Sequence, residues 1–113
     1  MAILGKNAIL SADDFEYAIV PCPEWGGDVR VRGLSAADQA YIAKLSNQDK
    51  KEVLALNVFI RGVVDENGER IFTNADMDEL KKRSFAVIER VVKKISELTS
   101  KGDADTIDDL KKN

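Results

Sequence analysis

No histidine occurs anywhere in the sequence, and there is one cysteine, Cys22. These two shortages exclude most of the common site chemistries. A Ser-His-Asp or Cys-His nucleophile system cannot be assembled, nor can the nitrogen- and sulfur-rich shells that zinc and redox-active iron favour. A lone cysteine forms no internal disulfide, which agrees with a reducing compartment. No stretch approaches the roughly 18 uninterrupted apolar residues of a membrane span. The opening "MAILGKNAILSADD" also places acids where a signal peptide would be apolar and then small. A cytoplasmic protein without membrane contact is therefore expected. An excess of one charge is missing too, because 17 basic residues face 20 acidic ones for a net charge of −3. The signs are interleaved, so bulk charge does not favour nucleic acid.

What remains is a soluble-type composition, 44% hydrophobic and 33% charged over 113 residues, which predicts one folded domain with a modest core. Residues 1–14 read as a loose arm with a helical turn near Lys6 to Leu10. "FEYAIV" at 15–20 is rich in β-formers and "DVRVR" at 28–32 alternates with period 2, so two strands are predicted. Between them "PCPEWGG" holds both prolines and the only tryptophan, and it reads as the connection of a hairpin, since proline donates nothing to a ladder.

Helices follow. Ser35 is placed as the N-cap of a helix over about 36–46, with Asp38 in the capping-box position. Asp49 is placed to cap the next, where Val53, Leu54, Leu56, Val58, Phe59, Ile60, Val63 and Val64 cover most of the circumference and predict a central buried helix. Asn67-Gly68 within "DENGER" predicts a second small β-ribbon over about 63–72. Thr73 or Asn74 would cap "ADMDELKKR". From Ser84 onward Phe85, Ile88, Val91, Val92, Ile95 and Leu98 fall on one helical face. Beyond Gly102 only Ile107 and Leu110 remain to bury, so 101–113 is expected to be a marginally ordered tail. The predicted class is α+β: an N-terminal β-hairpin, then a small helical bundle with a short second ribbon.

Candidate sites are few. Trp25 beside Gly26-Gly27 could stack on a ligand, but a large apolar ring in a turn is better placed as an anchor of the hairpin on the helices. Cys22 without any histidine partner reads as a small apolar residue. "DENGE" fails as a calcium loop, because the sixth residue from Asp65 is Arg70 and the twelfth is Asp76 where glycine and glutamate are required. "GGDVRVRG" lacks both the dinucleotide-binding spacing and a phosphate-binding lysine. Arg30 and Arg32 share one face of their strand and could join Lys81, Lys82 and Arg83, or Lys93 and Lys94, in binding phosphate, yet acids lie near every such cluster. The edge of the 28–32 strand is instead the expected docking edge, with the arginines steering a partner. No catalytic residue, cofactor or metal ligand is assigned.

The arm "AIL…ILSADD", the stretch "VPCPEWGGDVRVRGLSAAD", then "VVDENGERIFTNADMDEL" and a charged ending "IDDLKKN" together resemble the tail assembly chaperones of long-tailed bacteriophages and prophages. The resemblance is most specific at Pro23 to Gly27, Val29 to Leu34 and Val64 to Gly68, while Cys22 between the prolines departs from the family pattern. It implies a non-enzymatic assembly factor in the bacterial cytoplasm, absent from the finished virion. Such a factor coats the aggregation-prone tape measure protein as a homo-oligomer and helps bring tail tube protein to it. It also implies a longer form made by ribosomal slippage, for which codons of Lys111, Lys112 and Asn113 could supply an adenine run. Arg30, Arg32, Ile107 and Leu110 are the candidate contact residues. The alternatives are a minor tail or head-tail connector protein of the virion and, further off, a small nucleic-acid-binding regulator.

Overall fold

Alternation and turn chemistry build the first unit. In the computed structural model, which describes residues 3–45 and 50–112 with side chains as far as Ser100, strands β1 (Tyr17–Cys22) and β2 (Gly27–Arg32) pair antiparallel with Tyr17 opposite Arg32 and Cys22 opposite Gly27. Period 2 sends Val20, Cys22 and Val31 into the core and leaves Ile19 and Pro21 outside. The ladder runs past Pro21, a residue expected in the connection. Proline is tolerated there because β1 is an outer strand: the sheet order is β1-β2-β3. A single 3₁₀ turn, Pro23–Trp25, connects the strands and ends at Gly26, whose φ of 84° lies in the left-handed region where a side chain is disfavoured.

The chain then leaves the sheet through Gly33 and enters helix α2 (Ala36–Leu45) after a reciprocal cap: the Asp38 N–H donates to Ser35 Oγ at 3.1 Å and the Ser35 N–H to Asp38 Oδ2 at 3.3 Å. The preceding arm holds one short helix, α1 (Lys6–Leu10), with no buried residue. Helix α3 (Lys51–Gly62) buries every residue from Leu56 to Gly62, as its all-round apolar pattern requires. The proposed cap Asp49 lies outside the described residues.

Directly after α3, strand β3 (Val63–Val64) returns to the hairpin and pairs with β2, Val64 opposite Arg30 and Val63 opposite Val31. The expected second ribbon is thereby reduced to a single bridge, Val64 with Arg70. Two contacts shorten it: β2 takes up Val63 and Val64, and Asp65 Oδ1 accepts from the N–H groups of Asn67 (2.8 Å) and Glu69 (3.0 Å), which closes the loop tightly with Gly68 at φ 84°.

Thr73 makes a full capping box with Asp76 over the 3₁₀ turn Asn74–Asp76, which passes into helix α4 (Met77–Leu80). Helix α5 (Phe85–Lys112) follows, continuing through Gly102. The core lies between the inner sheet face, α3 and α5, where Phe59, Ile60, Val31, Cys22, Ile88, Val91 and Ile95 meet. On α5 the inward stripe includes Val87, while Phe85, expected inside, is 38% exposed. A hairpin followed by helices, with one antiparallel sheet, is the predicted α+β architecture.

Candidate functional site

The rare residues of the sequence gather at the turn of the β1–β2 hairpin. The 3₁₀ turn lays Trp25 edge-on against Phe59 of α3, ring centroids 6.0 Å apart at 89°, and Phe59 in turn packs at 5.5 Å on Phe72. Trp25 thus touches the helical layer where an anchor would, yet 36% of it stays exposed. It borders a groove of about 540 Å³ lined by the apolar Trp25, Phe59, Phe72 and Leu80 and by the charged Glu24, Asp76, Glu79 and Arg83.

Glu24, which also lines this groove, fixes the turn to α5. Arg90 of α5 donates to both its carboxylate oxygens, at 2.8 and 2.6 Å, and to the Pro21 carbonyl at 3.3 Å. These bonds pull the Glu24 carboxyl down to about 2. Cys22 beneath is fully buried, and burial pushes its thiol above the ordinary value. A thiol held in its protonated form is a poor nucleophile.

Arg30 and Arg32 do share the outer sheet face, but not a free edge. β2 is the central strand, because β3 takes the side expected to be a free edge. Both arginines are also engaged within the chain. Arg30 donates to the carbonyls of Asp65 (3.3 Å) and Glu66 (3.0 Å) and lies 4.3 Å from the Tyr17 ring centroid. Arg32 sits 4.2 Å over Phe15 and 3.8 Å from Asp38. They hold the 65–69 loop and the start of α2 to the sheet. Neither is gathered with Lys81, Lys82 or Arg83 by any of these contacts.

A buried polar knot escaped the sequence reading. Arg61, 6% exposed, stacks 3.9 Å from the Tyr41 centroid, approaches Asp38 at 4.0 Å, and donates to Asn57 Oδ1 (3.0 Å) and Asn74 Oδ1 (3.3 Å). It ties α2, α3 and the Asn74–Asp76 turn together. The signal was an arginine inside a helix apolar on nearly every side, a position where a charge must find partners. Among the described residues no group of His, Cys, Asp and Glu could hold a metal ion. No helix among them is long and apolar enough to cross a membrane. The side chains of Ile107 and Leu110 lie outside those described.

A family model for phage tail assembly chaperones matches residues 5–113. The chain belongs to the phage tail assembly chaperone family. That match takes in the arm helix α1, the hairpin, the Trp25 groove and the whole of α5. The solved structure of the bacteriophage HK97 tail assembly chaperone shares the fold, with a TM-score of 0.66 at 19% identity over 81% of this chain and 90% of that one. No curated protein matches. Family membership assigns this chain to phage tail assembly as a chaperone.

Proposed function

We propose that the chaperone works by reversible coverage of the tape measure protein in the cytoplasm of the infected bacterium. Several copies associate along that long helical client, each hiding part of its apolar stripe, and multivalency turns weak single contacts into durable coating. Tail tube subunits are brought to the coated client, in part through a longer form produced by slippage over the codons of Lys111 and Lys112. The chaperone then leaves and is absent from the finished virion. The observation that carries this reading is the family match across residues 5–113. The exposed aliphatic side chains of Ile3, Leu4, Ile9 and Leu10 support it, since isolated apolar arms favour association.

In this reading Ile107 and Leu110, three residues apart in the sequence near the end of α5, are the client contacts. Mass spectrometry of purified particles and of infected cells tests the departure step. The chain should be abundant in the cells and absent from the particles. A fixed copy number in particles would support the minor tail protein reading instead.

A further inference from the structure

Two arginines of the polar knot draw on a single carboxylate. Asp38 lies 3.8 Å from Arg32 Nη2 and 4.0 Å from Arg61 Nε, and none of the three side chains is more than 17% exposed. The other hydrogen-bond partners of Arg61 are neutral: Nη1 donates to the carbonyl and to Oδ1 of Asn57, and Nη2 to Asn74 Oδ1. Arg32 Nε is buried with no hydrogen-bond partner among the described residues. A buried charge needs an opposite charge as well as hydrogen bonds, and here two cations meet one anion. The surplus positive charge is held where water screens it poorly.

Arg61 also lines an open pocket of about 610 Å³, together with Arg70, Phe72, Thr73, Asn74 and Ala75, and no acid is among these residues. Arg70 is exposed; its guanidinium donates to the Phe72 carbonyl at 3.4 Å, and no described carboxylate pairs with it. Arg61 occupies Asn74 Oδ1, which leaves the two N–H groups of Asn74 Nδ2 and its backbone N–H without an acceptor among the described residues. Thr73 Oγ1 accepts from the Ala75 N–H at 3.2 Å and keeps its own proton to donate. The neighbouring acid, Asp76, is committed elsewhere: its Oδ2 accepts from the Thr73 N–H at 2.8 Å, and it lines the Trp25 groove instead. Two cations and several unspent donors thus border one acid-free pocket.

We propose that this pocket binds a carboxylate side chain of an acidic segment of a partner polypeptide. Arg70 meets the carboxylate at the surface with a guanidinium fork that matches it, Asn74 donates to it, and Arg61 supplies the buried countercharge. A polypeptide fits better than a free ion, because the pocket is far roomier than one ion needs and Phe72 gives the stem of an Asp or Glu an apolar wall. The net charge of −3 repels acidic partners in bulk, so binding at this place depends on the local surplus of arginine. Use of the site in tail assembly rests on the chaperone reading above; the binding itself does not.

The purified full chain, labelled with nitrogen-15, tests it by NMR titration with hexaglutamate, hexaserine and inorganic phosphate. Hexaglutamate should shift the backbone amides of Asn74 and Ala75 saturably, and hexaserine should leave them in place. Arg70→Gln alters an exposed side chain, so the thermal midpoint should stay near that of the parent while hexaglutamate binding weakens by about tenfold, the loss of a hydrogen bond between charged groups. Arg70→Lys, which keeps the charge and loses the fork, should fall between the two. Asn74→Asp puts a carboxylate of the chain's own against Arg61 and should abolish binding. Hexaglutamate that shifts neither amide, or that binds the folded Arg70→Gln chain as tightly as the parent, overturns the proposal. So does phosphate that shifts the same amides at lower concentration than the peptide, since the pocket would then be a site for free oxyanions. No client takes part in this titration, so failure of the pocket and failure of the chaperone reading are told apart by whether client solubility on co-expression is lost as well.

Discussion

Arg90 grips Glu24 through both carboxylate oxygens, at 2.8 and 2.6 Å, and so fastens the hairpin turn to the long helix α5. The same arginine takes the carbonyl of Pro21, a residue that has no N–H to offer. Gly33 N–H donates to the Glu16 carbonyl at 3.1 Å, which sets the ladder so that Ala18, Val20 and Cys22 turn their backbone groups to β2 and Tyr17, Ile19 and Pro21 turn theirs outward. At the Pro21 end, then, the outer edge of β1 has no donor and an occupied acceptor. A blunted edge of this kind resists unwanted strand pairing.

The Glu24 carboxyl is held at about 2, below its ordinary value of 4.5, chiefly by the Arg90 hydrogen bonds. A depressed carboxyl stabilises the fold fully above the unfolded value and loses that contribution as pH falls through the folded one. The stability difference between the parent and Glu24→Gln should therefore be constant above about pH 5.5 and shrink between about 4.5 and 2. Urea unfolding of both proteins across that range measures it. A difference that is flat to pH 2 would mean that the Arg90 contact does not hold in solution.

Gly62 closes α3 where α5 crosses it. A Cβ built there would stand 2.5 to 2.7 Å from three side-chain atoms of the fully buried Ile95. Alanine in a helix normally gains about 1 kcal/mol over glycine, but this overpacking should reverse the sign and destabilise Gly62→Ala by about 1–2 kcal/mol. Chemical denaturation checks it. Adding Ile95→Ala, itself costly, should remove the clash and show a favourable coupling between the two sites in a double-mutant cycle.

Asp38 caps α2, pairs with Arg32 at 3.8 Å and faces Arg61 at 4.0 Å. Asp38→Ala removes the cap and leaves the buried Arg61 without its carboxylate. The expected loss is about 2–4 kcal/mol, read as a lowered urea midpoint. Asp38→Asn, which keeps an oxygen for the Ser35 N–H, should lose less.

The sequence made the local features readable and the long-range ones obscure. The alternation Val29-Arg30-Val31-Arg32, the Ser35–Asp38 capping box and the circumference of α3 each depend on residues a few positions apart, and each appears as read. The place of β2 did not, because its second neighbour arrives from Val63-Val64, more than thirty positions away, a pairing no local pattern encodes. The ribbon at Asn67-Gly68 shrank for a reason visible only in three dimensions, once β2 had captured Val63 and Val64 and the Asp65 carboxylate had closed the loop. The inward rotation of Val87 over Phe85 on α5 was likewise hidden, since both fit a helical stripe and only the packing partners choose between them. At the candidate site, Trp25 was legible as a residue to watch, while the groove it borders draws on Phe59, Phe72 and Leu80 from three separate stretches.

The most direct test of the chaperone assignment is co-expression with the tape measure protein from the same phage genome. The account predicts that a client insoluble on its own becomes soluble and co-purifies with several copies of this chain. A client that stays insoluble, or that is equally soluble without the chain, would contradict it.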